Sequence, residues 1–177
     1  MSKQKQESEN IVVYPDGRLE FGGKEYRCAL GKGGVTKDKK EGDGCTPVGC
    51  FHIREIFYRK DRLGEKVFPF VTHITTEEDV WGDNPKQPFY NQHTRVDKTK
   101  TTELLWRGDA IYDVVVVLGY NDDPVVAGKG SAIFMHVARE NYTPTEGCVA
   151  LSLDDLLSIL GQSTRDTKVC VRNFHSL

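Results

Sequence analysis

After Met1, polar and charged residues fill positions 2–10, and apolar patterning begins only at Ile11. Residues 1–10 read as a disordered tail, leaving 11–177 as one domain. From Ile11 to Leu30 short apolar-polar alternations, Ile11-Val-Val-Tyr14 and Arg18-Leu-Glu-Phe21, are broken by Pro15-Asp16-Gly17 and Gly22-Gly23. That is the pattern of a β-meander. A glycine-rich stretch, Gly42 to Gly49, then gives way to the β-branched and aromatic run Cys50 to Tyr58, a further strand. Between Arg59 and Lys100 the periodicity fades among Pro, Asn, Asp and Gln. Long structureless segments in a compact domain are uncommon and often cover clefts, so a lid is expected there. Thr101 to Arg107 is expected to add a helical turn or two.

Ile111 to Leu118 is nearly all aliphatic, as in a central strand covered on both faces. In Ala132 to Val137 the period of two places His136 with Ala132 and Phe134, opposite Ile133, Met135 and Val137. The same period in Gly147 to Leu151 places Cys148 with the small Ala150. A helix follows: Ser152 is its N-cap, Asp155 stands three residues on, Leu153, Leu156, Leu157 and Leu160 recur on one face, and Gly161 is the expected stop. Lys168 to Arg172 is a last strand.

Of the 177 residues 38% are hydrophobic, enough for one sizeable core. The net charge of −2 gives no broad basic face for a phosphate backbone, so nucleic acid is not an expected partner. No apolar run approaches the roughly 20 residues of a membrane helix, and the amino end has no signal-peptide core. The chain is therefore expected to have no membrane span, no visible export signal and a monomeric state. Five cysteines, an odd number, argue against a full disulfide framework. Cys28, Cys50 and Cys170 read as small buried residues in strands. Cys45, Cys50 and His52 offer only one close ligand pair, short of a structural zinc site, and no metal or cofactor is expected. Gly31 to Gly34 lacks Walker spacing and reads as a flexible turn.

The candidate chemistry lies in His136 and Cys148. A histidine within reach can take the proton of a thiol whose ordinary pKa is near 8.5. Gly147 lets the backbone approach a bound carbonyl, and the N–H groups of Gly147 and Cys148 are candidate oxyanion donors. Arg139, Thr145 and Tyr120 are the candidate substrate contacts, with a bidentate grip on a carboxylate open to Arg139. Core packing of Cys148 and a structural His136 are the competing readings. His52, His73, His93 and His175 are rival bases without a comparable placement.

Two separated signatures resemble the L,D-transpeptidase catalytic domain (YkuD-like) family: Thr46-Pro47-Val-Gly49-Cys-Phe51, and His136 followed by Thr145-Glu-Gly147-Cys148. The resemblance implies a mainly β fold, a sandwich-like body with one or two short helices. It implies that Cys148 attacks the diamino-acid carbonyl of a peptidoglycan stem tetrapeptide and expels D-alanine. The thioester then passes to an amine, giving a 3→3 cross-link, or to water, giving carboxypeptidase or related amide hydrolysis. A non-catalytic wall-peptide binding module is the remaining alternative. Val137 is expected to offer a carbonyl to the histidine ring. Two departures stand out: Glu146 replaces a histidine common before Gly-Cys, and Val149 to Leu151 lack the arginine or asparagine common after it, leaving the carboxylate anchor open. The family implies the cell envelope; the missing leader makes the cytoplasm the alternative.

Overall fold

A computed structural model describes residues 9–95 and 102–174. The meander forms as β1 (Ile11–Val13), β2 (Arg18–Phe21) and β3 (Lys24–Arg27). Two-residue strands follow, β4 (Val35–Thr36) and β5 (Thr46–Pro47), then the ten-residue β6 (Gly49–Tyr58). The aliphatic run forms β11 (Val114–Leu118), buried along its whole length. The site signatures form β12 (Phe134–Val137) and β13 (Val149–Leu151), and the chain closes on β14 (Lys168–Val171). The main sheet runs β13-β12-β11-β6-β14-β1-β2-β3. β6 makes this possible by its length: Gly49 to His52 pair with β14, while Ile53 to Tyr58 pair with β11.

The sheet curls until its ends meet, Ala29 and Ala150 exchanging N–H···O bonds of 2.8 and 2.9 Å. Inside lies the larger core, with Ile11, Leu19, Ile56, Val116, Met135 and Leu151 buried together. The helix expected after Ser152 is present as Leu153–Gln162 and adds Leu156, Ile159 and Leu160 to that core. The Ser152 hydroxyl accepts the Asp155 N–H at 3.2 Å, as the N-cap pattern requires. Gly161 does not stop the helix; it runs one residue further and Ser163 is the C-cap. Among the described residues the architecture is mainly β with two short α-helices, the other being Lys60–Leu63.

The segment 59–100 is not structureless in its described part. β7 (Thr72–Ile74) joins β6, and β8 (Asp79–Gly82), β9 (His93–Arg95) and β10 (Thr102–Leu104) form a small sheet in the order β10-β8-β9. β10 also corrects the helical turn expected near Thr101: Glu103 and Leu104 pair with Trp81 and Val80. Propensity gave way to an edge supplied by distant residues. This small sheet packs on the outer face of the main sheet. There a second apolar cluster holds Phe57, Trp81, Leu105, Tyr112, Val117, Phe134 and Cys148.

The cysteines Cys50 and Cys170, expected as unlinked core residues, form a disulfide. They face each other directly in the antiparallel β6–β14 pair. Periodicity alone does not disclose a pairing across 120 residues of sequence. Cys28, Cys45 and Cys148 remain free thiols. With Cys50 bonded, the Cys45-Cys50-His52 set loses a zinc ligand. Among the described residues no group of three or more His, Cys, Asp or Glu is placed to hold a metal. Nor is any described helix long and apolar enough to cross a membrane.

Candidate active site

β12 and β13 run parallel, with Met135 level with Val149 and His136 with Ala150. Met135 and Val149 point into the inner core, so Phe134, His136, Cys148 and Ala150 project from the other face. Continuing the register sets Cys148 beside Phe134, and His136 is two residues further along. No hydrogen bond joins the two side chains: the sulfur bonds the Ala132 carbonyl and the Phe134 N–H, and the ring bonds the Val137 carbonyl. Both side chains line one cavity of about 380 Å³. The strand pairing is what brings a histidine and a cysteine twelve residues apart into one cavity.

The His136 ring is held on two sides. Its Nδ1 lies 2.9 Å from the Val137 carbonyl oxygen, which fixes the proton on Nδ1 and leaves the Nε2 lone pair free as a base. Tyr112 packs edge-on against the ring at 5.2 Å, and the Tyr112 hydroxyl donates to Glu103 Oε1 at 2.7 Å. Burial pushes the imidazole pKa down to about 4, opposed by the Val137 hydrogen bond and reinforced by Arg139 and Arg107. The resting ring is neutral.

The Cys148 sulfur is held equally closely. It donates to the Ala132 carbonyl oxygen at 3.2 Å and accepts the Phe134 N–H at 3.4 Å. Burial raises its pKa to about 12; the Phe134 N–H and Lys39 pull the other way, and Glu103 adds to the rise. The expected thiolate–imidazolium pair is thus not the resting state. Desolvation is the largest influence on each group, and the cavity holds a neutral thiol and a neutral imidazole.

Gly147 takes φ +142°, and a Cβ on it would meet the Cys45 carbonyl oxygen at 2.8 Å. Only glycine fits this turn. Its N–H is not a spare oxyanion donor as expected, because it donates to Thr145 Oγ1 at 3.1 Å. The Thr145 hydroxyl in turn donates to the Cys148 carbonyl oxygen at 2.7 Å. Thr145 lines the cavity but also shapes the turn that presents the sulfur.

Arg139 also lines the cavity; it is half exposed, with Nη1 3.7 Å from Asp109 Oδ2. Asp109 is already gripped by both Arg107 Nε and Nη2 at 2.8 Å. Tyr120 does not line the cavity. Its ring packs edge-on to Phe51 and its hydroxyl donates to the Lys129 carbonyl, beside Gly130 at the edge of the cavity. Among the rival bases, His52 is exposed on β6. His73 stacks on Phe57, His93 packs tilted against the same ring, and His93 pairs with Asp79 at 2.7 Å. None of these three lines the cavity. His175 lies outside the described residues.

Two contributors carried no sequence signal. Lys39 sits in a run of charges that reads as a solvated loop, yet it is buried and lines the cavity. Asn91, buried in the region of faded periodicity, accepts the Ala132 N–H and Trp81 Nε1–H through one oxygen, both at 3.1 Å. Ala132 itself adopts φ +54°, uncommon for a residue with a side chain. Asn91 thereby steadies the residue whose carbonyl holds the thiol.

The family model of the L,D-transpeptidase catalytic domain matches residues 5–171. No curated protein matches. Among solved structures, the helical cell shape determining protein Pgp2 from Campylobacter jejuni is similar at 14% identity and a TM-score of 0.48. The alignment covers 94% of this chain and 48% of that one, so this chain spans about half of its length. The match over nearly the whole chain, on a mainly β fold with cysteine and histidine sharing a cavity, places the protein in the L,D-transpeptidase catalytic domain (YkuD) family.

Proposed function

We propose that the protein is a peptidoglycan L,D-transpeptidase with Cys148 as nucleophile and His136 as base. The observation that carries this reading is the cavity lined by both side chains, with the ring's Nδ1 tied to the Val137 carbonyl and Nε2 left free. In this reading the donor peptide displaces the thiol from its Ala132 contact. Nε2 takes the thiol proton as sulfur bonds to the diamino-acid carbonyl carbon. The tetrahedral intermediate collapses by breaking the bond to D-alanine, whose nitrogen takes that proton from the imidazolium. An acceptor amine then attacks the thioester, gives its proton to Nε2 and leaves sulfur as the thiolate, which the imidazolium reprotonates. Water in place of the amine gives carboxypeptidase action. Tight packing in the resting state and proton transfer only during attack are compatible, because the imidazole is neutral and ready to accept.

The Cys50–Cys170 disulfide supports an oxidising compartment, in keeping with the envelope association of the family. A second reading, a non-catalytic module that holds wall peptides, draws on the buried thiol raised to about 12. A carbapenem-type β-lactam separates the two. On the enzymatic reading intact mass shows one acyl adduct on the native protein and none on Cys148→Ala. No adduct on the native protein, or the same adduct on the variant, favours the binding module. Incubation with stem tetrapeptides, followed by mass analysis for D-alanine release and for dimeric products, then distinguishes cross-linking from hydrolysis.

A further inference from the structure

Lys39 is 5% exposed, an unusual place for a lysine, and it lines the cavity that holds Cys148 and His136. Its ammonium lies 2.5 Å from Asp43 Oδ1 and 3.0 Å from the Lys40 carbonyl oxygen. An ammonium carries three N–H donors, and these two acceptors leave one for a ligand. Its path depends on Gly130, where a Cβ would come within 3.1 Å of Lys39 Cγ and 3.2 Å of Cε. The positive charge is felt at the Cys148 sulfur, where it opposes the effect of burial. The other cations at the cavity are differently committed: Arg107 is closed on Asp109 by two hydrogen bonds, and Arg139 is half exposed beside the same carboxylate. Glu41, on the same loop, is occupied by the hydroxyls of Tyr90 at 2.9 Å and Ser131 at 2.5 Å.

We infer that Lys39 is the specificity-determining cation of this site, its free N–H binding a carboxylate of the ligand beside Cys148. This rests on Cys148 being the reactive group of the cavity. Asp43 has two roles here. It holds the ammonium in place, and it neutralises enough of the charge for the lysine to stay buried before a ligand arrives. A ligand carboxylate shares the ammonium with Asp43, whereas an uncharged ligand of the same size gains nothing from it. The connection between β4 and β5, which carries Lys39 and Asp43, therefore supplies what Val149 to Leu151, after the nucleophile, do not.

The test uses two small alkylating reagents of similar size, iodoacetate and iodoacetamide, on the full chain. Each converts the Cys148 thiolate to a thioether with loss of iodide; only the first carries a carboxylate. Peptide mapping reads the rate at Cys148 alone, separate from Cys28 and Cys45, and the result is the ratio of the two rates at one pH. Lys39→Met is expected to lower that ratio about fivefold or more, the scale of one charge pair at about 4 Å screened as in bulk water. Lys39→Arg is expected to retain most of it. Asp43→Asn, whose one oxygen can keep the Cys45 N–H bond while the Lys40 N–H loses its Oδ2 acceptor, is expected to raise it, and serves where Lys39→Met fails to fold. Unchanged ratios in folded Lys39→Met and in Asp43→Asn overturn the inference, as does a native Cys148 that neither reagent modifies. If the ratios respond but stem peptides never acylate Cys148, the anion site stands and the transpeptidase reading falls. If stem peptides acylate Cys148 and the ratios do not respond, the reverse holds.

Discussion

At Cys148 and His136 burial opposes charge on both partners, and this sets how the pair responds to pH. With the thiol near 12 and the ring near 4, the same thiol–imidazole pair persists across neutral pH. β-Lactam acylation of the native protein is therefore expected to be nearly flat from about pH 6 to 9. In His136→Ala only the rare thiolate reacts, so the residual rate should fall by orders of magnitude and climb about tenfold per pH unit. A steep native profile over that range would contradict the neutral pair. Stability gives an independent reading. His136 has a lowered folded pKa, so the unfolded chain binds a proton first as pH drops below its ordinary value of 6.5. The contribution is fully present above about 6.5 and is lost toward 4, amounting to about 3 kcal/mol. For Cys148 and Cys28, both raised to about 12, the sign is opposite: stability declines as pH rises above 9. Denaturant melts at pH 4.5 and 7 should show the acid loss in the native protein and much less of it in His136→Asn.

At the scale of elements, the site is the product of one parallel strand pair and the turn that feeds its second strand. Replacing Gly147 by Ala forces a Cβ against the Cys45 carbonyl at a positive φ, at a cost on the order of 2 kcal/mol. Because the turn also aims the sulfur, acylation by a β-lactam should be lost in variants that still melt cooperatively; a variant with native acylation would show that the turn tolerates a side chain. Ser152→Ala removes a cap far from the sulfur and should cost about 1 kcal/mol with acylation unchanged. These elements were legible in the sequence because each carries its own local signal: alternation in β12 and β13, capping in the final helix, an aliphatic run in β11. The small sheet β10-β8-β9 was not legible, because its strands are stabilised by each other and by Trp81 and Leu105 packing on a distant face. The same reason hid half of the site. His136, Cys148 and Gly147 belong to patterned segments, whereas Lys39 and Asn91 become buried only when loops from elsewhere close over them, and Tyr120 stays at the edge of the cavity because Phe51 and Lys129 hold it.

At the scale of the whole molecule, the sheet is tied together by a covalent link between its early and late parts. β6 is shared by the two halves of the sheet, pairing with β11 on the site side and with β14 on the meander side. The Cys50–Cys170 bond spans 120 residues of sequence at that junction, so it restricts the unfolded chain over most of its length. On a chain-entropy account a loop of this size contributes about 4–5 kcal/mol, less any native-state cost. Cys50 is exposed, so a reductant reaches the bond without prior unfolding. Reduction is therefore expected to lower the melting temperature by about 10 °C or more for a domain of this size. The double variant Cys50→Ala with Cys170→Ala should melt at the same lowered temperature and be insensitive to reductant. Cys148 and His136 lie on β12, β13 and their turn, away from the β6–β14 pair, so acylation well below the melting temperature should persist in the double variant. Equal melting of oxidised and reduced protein would show that strand pairing alone holds β14 in place. Loss of acylation in a folded double variant would show that the link also fixes the site, and with it that the two halves of the sheet move as one body.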